Sequence, residues 1–297
     1  MQPASRSIVV GVVAEPRAHP ALSFIVPTVA RDAGIDVLLF HGRDVAFAQR
    51  VAALTKKRAG RDVTLLPLGV NDLSARAYAL LLLSADFWGR VAGAAPAASH
   101  ALLFEADSCT CGGQQGAAAF AAALQYDYCG AVWRHATANA RVGNSGFSLI
   151  RLSAIRAIAE AGRAELQLPE EGPRRKFTWR ADKTISLWCG GHSLEVDGRT
   201  GLPRRVTLPT TRPRCRVCPT EVAAAFAVES VHHPAPWAFH KVWQEGVGPS
   251  WPIRRWALNM SACTPAVRQA FLLNRAAEAR RAPTTPRRAP GSVGLAL

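Results

Sequence analysis

The sequence is poor in lysine and in long apolar runs, and the lack of long apolar runs argues against a protein that spans a membrane. Lysine supplies five of the 36 basic residues, and the rest are arginine. No apolar run approaches the ~20 residues that span a bilayer, since the densest one, residues 78–83, ends at Ser84. Residues 8–13 are too few for the apolar core of a signal peptide, and Glu15 follows them. We therefore expect a soluble chain without a membrane anchor, cytoplasmic by default.

The rest of the composition is that of a globular protein with a large excess of basic residues. Hydrophobic residues make up 49% of the 297 residues, which is enough for a sizeable core. The net charge of +15 indicates an anionic partner. Nucleic acid is the weaker alternative, because the arginine clusters lack interleaved aromatic residues. A phosphate-bearing small ligand suits the charge as well.

Cysteine occurs seven times without forming a strong metal signature. Cys109 and Cys111 make a CxC pair, and Cys215 and Cys218 make a CxxC pair. A four-cysteine zinc site would need these pairs to converge across about a hundred residues, whereas strong zinc signatures have short spacings. We expect instead reduced and mostly buried thiols.

The first half of the chain alternates short β-branched runs with helical stretches. The runs predict strands at 7–14, 35–41, 62–68 and 101–104, with helices over 20–32 and 71–93. Apolar runs that do not alternate with polar residues are typical of a parallel sheet covered on both faces. The sequence therefore predicts an open α/β fold.

The second half is less regular. It predicts helices over 116–125 and 152–161, a turn and strand over 142–151, an exposed loop over 198–219 and a strand over 223–230. A last helix is predicted to begin with Thr264 as its N-cap. Residues 282–297 are predicted to form a disordered basic tail.

Two acidic residues follow the predicted strand at 101–104. Glu105 and Asp107 are two positions apart, so on a continuing strand both carboxylates would face one side. Ligands bind outside the carboxyl ends of strands in open α/β sheets, and two carboxylates suit Mg²⁺ or Mn²⁺ on a diphosphate. Alternatively, the two residues only end the strand and cap the next element.

Seven segments resemble, in order, the motifs of a family of glycosyltransferase-like domains that is labelled a domain of unknown function. They are EPR from Glu15, HG from His41, FEADS from Phe104, DYCGAVW from Asp127, GNSGFSL from Gly143, FAVE from Phe226 and HKVW from His240. The family pattern is similar: EPR, FxxDS, DYxGAPW, GNGGFSLR, FSVE and HK-W. The resemblance covers about residues 8–243. It implies the glycosyltransferase-A fold, a three-layer α/β/α arrangement around a mostly parallel open sheet.

The resemblance also implies how the chain is divided. One domain would span residues 1–263, with a nucleotide-binding half over about 1–110 and an acceptor-binding half over about 111–263. A C-terminal helix and the basic tail would follow over 264–297.

The resemblance implies a role for each matching residue. Asp107, with Glu105, would hold Mn²⁺ or Mg²⁺ on the diphosphate of a nucleotide-sugar donor, and His240 would be a further ligand. Asp182 would deprotonate the acceptor, which would be a glycan, a protein or a small molecule. The remaining donor contacts would come from Glu15, Arg17, His41, Gly42, Asn144, Gly146 and Lys241.

Three departures from the family pattern bear on activity. Val132 replaces a proline, Ser145 replaces a glycine, and Ala181 stands before Asp182 where the family carries glutamate. The implied function is transfer of a sugar from a nucleotide-diphosphate donor. The alternative, which Ala181 favours, is a relative that binds nucleotide or glycan without turnover.

Overall fold

The structure is a computed structural model, and it describes most of the chain. The described residues are 9–112, 114–133, 142–144, 146–162, 185–186, 188–189, 192–196, 203–207, 215–229, 231, 233–240 and 263–281. Ala181, Asp182, Lys241 and the predicted tail at 282–297 lie outside them.

Eleven strands fall within the described residues. They are β1 (Val9–Glu15), β2 (Val37–His41), β3 (Val63–Pro67), β4 (His100–Phe104), β5 (Ser108–Thr110), β6 (Tyr128–Gly130), β7 (Phe147–Arg151), β8 (His192–Val196), β9 (Pro203–Thr207), β10 (Ala227–Val228) and β11 (Ala238–His240). Six of them form the main sheet, in the order β3-β2-β1-β4-β7-β6. The first four of that order run parallel, and β7 runs antiparallel to β4 and β6.

Helices cover both faces of the main sheet. They are α1 (Leu22–Ala33), α2 (Val45–Ala59), α3 (Ala75–Leu82), α4 (Ala85–Ala94), α5 (Gln114–Ala123), α6 (Leu152–Gly162), α7 (Thr220–Phe226) and α8 (Thr264–Arg281). One core lies under α1, α2, α5, α7 and α8, and a second lies under α3, α4 and α6. The predicted fold class, a three-layer α/β/α arrangement with a mostly parallel open sheet, is confirmed. None of the described helices is both long and apolar enough to cross a bilayer.

The helix predicted over 71–93 is two helices, because the chain turns at Ser84. The Ser84 hydroxyl accepts a hydrogen bond from the Phe87 N–H at 3.4 Å and so begins α4. The Trp88 indole donates to the Leu82 carbonyl at 2.7 Å, which satisfies an acceptor at the end of α3.

Pro27 lies inside α1 without ending it. Proline has no N–H to offer the carbonyl four residues earlier, which belongs to Ser23. Arg58 Nη1 lies 3.5 Å from that carbonyl oxygen, so a side chain from α2 donates in its place. The helix continues to Ala33.

Two predictions for the second half are wrong. Part of the predicted loop at 198–219 is β9, which pairs antiparallel with β8. Its proline, Pro203, stands at the first strand position, where a missing N–H is tolerated. The strand predicted over 223–230 is mainly α7, which ends at Phe226 before the two-residue β10. A short apolar run does not by itself distinguish a strand from a buried helix.

The expectation of reduced thiols is also wrong. All seven cysteines lie among the described residues, and six of them form the disulfides Cys111–Cys263, Cys129–Cys218 and Cys189–Cys215. Cys109 is buried and free. Cys111, Cys215 and Cys218 each belong to a different disulfide, which excludes a four-cysteine zinc site. Because disulfides persist in oxidising compartments, they give no support to the cytoplasmic default.

Candidate functional site

The strand order of the main sheet reverses at β1. The chain adds β2 and then β3 on one side of β1, and returns to place β4 on the other side. Such a reversal leaves a crevice at the carboxyl ends of the two central strands, where open α/β proteins bind ligands. Glu15 is the last residue of β1, and Glu105 directly follows β4.

A tight turn over residues 105–108, called here the acidic turn, follows β4. The Ser108 hydroxyl closes it, accepting from the Glu105 N–H at 3.0 Å and donating to the Glu105 carbonyl at 2.9 Å. The sequence analysis considered a strand that continues to Asp107, but the strand ends before the turn. Both carboxylates still face one point, because the turn reverses the chain into β5.

His240 reaches the acidic turn through the pairing of β11 with β5. These strands are antiparallel, with His240 opposite Ser108. His240 Nε2 lies 3.4 Å from Glu105 Oε2 and 3.3 Å from Asp107 Oδ1, and the residue is 4% exposed. The structure thus brings together the three residues that the resemblance assigns to the metal. We call them the carboxylate–histidine centre.

Asn144 and Gly146 fix the position of the imidazole. Asn144 Oδ1 accepts from the Gly146 N–H at 2.6 Å, and its Nδ2 lies 2.7 Å from His240 Nδ1. Gly146 packs against the ring so closely that a methyl group there would overlap three of its atoms. The structure therefore places these two residues against His240, whereas the resemblance assigns them to the sugar pocket.

Glu229 completes the surroundings of the ring. Its Oε1 lies 3.3 Å from His240 Nδ1. That nitrogen therefore faces an acceptor in Glu229 and a donor in Asn144, so it has a partner with or without a proton. Sequence reasoning did not select Glu229 for the site, and its one signal there was its place in the FAVE segment.

The charges around His240 favour its protonated form. Burial by itself would lower the pKa of His240, but the charge of Asp107 and hydrogen bonds with Asp107, Glu105 and Glu229 raise it well above its usual value. A positive charge is thus strongly favoured at this point of the crevice.

Tyr78 of α3 adds a phenol beside Glu105. Burial of its hydroxyl, followed by the negative charge of Glu105, raises the pKa of Tyr78 well above its usual value. The phenol therefore stays neutral and keeps a proton that it can donate in a hydrogen bond. Nothing in the sequence signals this residue, because its neighbours in α3 are ordinary helix formers.

Glu15 and Arg17 lie on the β1 side of the crevice. Arg17 Nε lies 2.5 Å from Glu15 Oε1, and Arg17 Nη2 lies 2.5 Å from Glu15 Oε2. These two hydrogen bonds fix the plane of the guanidinium. This hydrogen bonding raises the pKa of Arg17, although partial burial opposes it. Arg17 also borders an open cavity of about 460 Å³, whose other lining residues include His19, Asn71, Asp72 and Ala277.

His41 and Gly42 lie at the end of β2, which flanks β1 on the side opposite β4. His41 Nδ1 lies 2.6 Å from the Gly42 carbonyl oxygen. A methyl group at Gly42 would overlap the Pro16 carbonyl and lie 2.7 Å from that of Val70, so three strand-end loops meet there. The recess that they share with Glu15 and Arg17 measures about 10 Å³, room for about one water.

One family model matches part of the chain. Residues 70–195, less than half of the chain, match a family described as "Protein of unknown function (DUF5672)", and they include the acidic turn. No curated protein matches the chain in sequence.

Solved structures with a similar fold include two glycosyltransferases. One is the galactosyltransferase LgtC in complex with donor and acceptor sugar analogs, at 12% identity and a TM-score of 0.47, covering 86% of this chain and 96% of that one. The other is the apo form of GlyE from Streptococcus pneumoniae TIGR4, at 14% identity and a TM-score of 0.45, covering 93% of this chain and 64% of that one. Neither likeness decides the activity of this chain.

Proposed function

We propose that the protein is a glycosyltransferase that takes a sugar from a nucleotide-diphosphate donor with the help of a divalent cation. The observation that carries the proposal is the carboxylate–histidine centre. Its three residues come from two distant parts of the sequence, and they meet in the crevice where α/β proteins bind nucleotides.

The centre has the composition and size of a site for Mn²⁺ or Mg²⁺. Its three ligand atoms lie within 4.8 Å of one another, and neighbouring ligands in an octahedral shell are about 3 Å apart. The protonated imidazole already supplies one positive charge among the carboxylates, so a cation would replace that charge. Because imidazole suits Mn²⁺ better than Mg²⁺, we expect Mn²⁺ to be preferred.

The surrounding residues would hold the ligands in place. With a proton on Nδ1, His240 donates to Glu229 and turns the lone pair of Nε2 towards Glu105 and Asp107. Gly146 leaves no room for the ring to move towards β7. When bound, the cation would neutralise the diphosphate as it leaves the sugar.

The open cavity beside Arg17 would take the nucleoside end of the donor. Its volume of about 460 Å³ falls within the usual range for small-molecule sites, roughly 300–1,000 Å³. The charge of Asp107 contributes to the raised pKa of Arg17, which supports a position of the cavity near the carboxylate–histidine centre. A guanidinium held by Glu15 presents a fixed positive charge to an anionic donor.

Two parts of the reaction stay predictions. Asp182 as the base that deprotonates the acceptor and Lys241 as a phosphate contact both lie outside the described residues. The acceptor itself is open among glycans, proteins and small molecules.

The proposal is tested by donor binding and donor hydrolysis. Nucleotide-sugars are screened by thermal shift with Mn²⁺ and with chelator, for the wild type, Asp107→Asn and Asp62→Asn. Asp62 is an exposed carboxylate at the amino end of β3 and serves as the matched control. We expect Mn²⁺-dependent stabilisation by one donor in the wild type and the control, and its loss in Asp107→Asn.

Each outcome of the screen has a meaning. Equal stabilisation of wild type and Asp107→Asn would contradict the role of the centre. Stabilisation without hydrolysis or transfer would favour the non-catalytic relative. No donor binding at all would overturn the proposal.

A further inference from the structure

Helix α8 packs its buried face against the acidic turn. The buried side chains Ala270, Asn274 and Ala277 recur at spacings of four and three residues, so they share one face of the helix. Alanine is ordinary on such a face, but asparagine is not, because its buried amide requires hydrogen-bond partners.

Asn274 finds those partners in the acidic turn and in its own helix. Its Nδ2 donates to the Ala106 carbonyl at 3.0 Å and to the Ala270 carbonyl at 2.9 Å. Ala106 stands between Glu105 and Asp107, and the carbonyl that Asn274 holds belongs to the peptide group that joins Ala106 to Asp107.

The orientation of that peptide group matters for the centre. A net change in ψ of Ala106 or φ of Asp107 would alter the direction of the Asp107 side chain relative to Glu105 and His240. Ser108 fixes the turn from within, and Asn274 fixes it from outside. A buried carbonyl that loses its donor also pays the cost of desolvation, so the turn would be free to adopt another conformation.

A disulfide holds the helix next to the turn. Cys111 comes directly after β5, the strand that leaves the acidic turn, and Cys263 comes directly before α8. The bond therefore joins the start of the helix to the chain just beyond Asp107. Further along the helix, Ala277 lines the cavity beside Arg17.

We propose that α8 holds the acidic turn of the donor site in place and that Asn274 is a positioning residue for the metal-binding carboxylates. This proposal rests on the proposed function, because a bound cation requires the two carboxylates of the turn to keep one conformation. Among the described residues, the ligands of the centre come from outside this helix. It fixes the conformation in which Glu105 and Asp107 reach the same cation as His240.

The test compares Asn274→Leu with Gln269→Leu in the full chain. Leucine keeps the branched outline of asparagine but cannot donate, and Gln269 is an exposed residue of the same helix. Hydrogen exchange of the acidic turn is measured without metal, and Mn²⁺ affinity is measured by calorimetry. We expect exchange to become at least about tenfold faster and Mn²⁺ binding at least about tenfold weaker in Asn274→Leu, with both unchanged in Gln269→Leu.

A second pair of variants keeps the test decisive if Asn274→Leu folds poorly. Cys111→Ser with Cys263→Ser removes the tie to α8, and Cys189→Ser with Cys215→Ser removes a disulfide in the core on the opposite face. We expect the first pair to speed exchange in the turn and the second to leave it unchanged. Asn274→Gln, which keeps the amide, should restore part of the protection.

The two readouts separate this proposal from the proposed function. Unchanged exchange in the turn of folded Asn274→Leu, or in both double variants, overturns the positioning role whatever Mn²⁺ does. Faster exchange in a protein whose wild type binds no Mn²⁺ supports the positioning role but overturns the metal-assisted reaction.

Discussion

A buried histidine lies near each end of β4, and the two have opposite electrostatic surroundings. His100 begins the strand and is fully buried, while His240 lies beside the turn that follows the strand and is 4% exposed. Burial, followed by the charge of Arg151, lowers the pKa of His100. Burial also acts against a charge on His240, but three carboxylates reverse the sign.

The difference shows that burial alone does not create a site for a cation. Transfer of an imidazolium from water into the protein is unfavourable unless negative groups surround it. At the amino end of β4 the surroundings disfavour a positive charge on His100. At the carboxyl end they favour a positive charge on His240.

The sharpest test of this comparison exchanges the two histidines for glutamine, one at a time. His240→Gln should weaken Mn²⁺ binding by at least about 100-fold, because the ligand is lost. His100→Gln should leave Mn²⁺ affinity within about twofold and lower the free energy of unfolding by about 1–2 kcal/mol. Calorimetric titration and urea denaturation measure the two effects. A loss of Mn²⁺ affinity in His100→Gln would break the distinction.

A smaller effect is expected from Glu229, which faces the other ring nitrogen of His240. Glu229→Gln should weaken Mn²⁺ binding by about tenfold, because the group that accepts the Nδ1 proton becomes neutral. Glu221→Gln, at an exposed position of α7, is the control. Equal affinities in the two variants would contradict the orienting role.

The pH dependence of stability should report His100. Because its pKa is lowered in the folded protein, unfolding takes up a proton below the usual pKa of about 6.5, and stability falls as pH falls through that range. The contribution of His240 to stability has the opposite pH dependence. It is present below the usual histidine pKa of about 6.5 and is lost as pH rises through the raised pKa of His240. The difference in the free energy of unfolding between wild type and His100→Gln should therefore change by up to about 1.4 kcal/mol per pH unit. Denaturation in chelator at several pH values measures it, and parallel curves would contradict the neutral state.

The smallest expected effect is the absence of a reaction at Cys109. Burial, followed by the charge of Asp32, raises the pKa of Cys109 to about 12, so the thiolate is scarce. Without reductant, iodoacetamide should label nothing in the folded protein and one cysteine after denaturation. Mass spectrometry counts the labels, and more than one on the denatured chain would show that a disulfide is missing.

The parts of the fold that the sequence predicted are those with strong local signals. The strands that became β1 to β4 are apolar runs between polar breaks, and each was placed within two residues. Ser84 was missed as a helix start because the sequence around it is helical on both sides. The disulfides could not be derived, since pairing depends on which cysteines the fold brings together.

The site was predictable only in part, and for a physical reason. Glu105 and Asp107 follow a recognisable strand, so their place at the edge of the sheet followed from the pattern. The place of His240 came from the resemblance, because no local signal links residues so far apart. Tyr78 and Asn274 had neither kind of signal, since each reaches the acidic turn from a helix whose packing only the structure gives.

The pairing of β11 with β5 has a consequence for how the protein is made. About 130 residues separate Asp107 from His240, so at typical rates the ribosome needs roughly 10 s to complete the centre after the acidic turn has emerged. During that interval Glu105 and Asp107 are present without the imidazole that lies beside them in the folded protein. The nascent chain thus carries two uncompensated carboxylates until β11 arrives, and a cation that binds them early would assist folding.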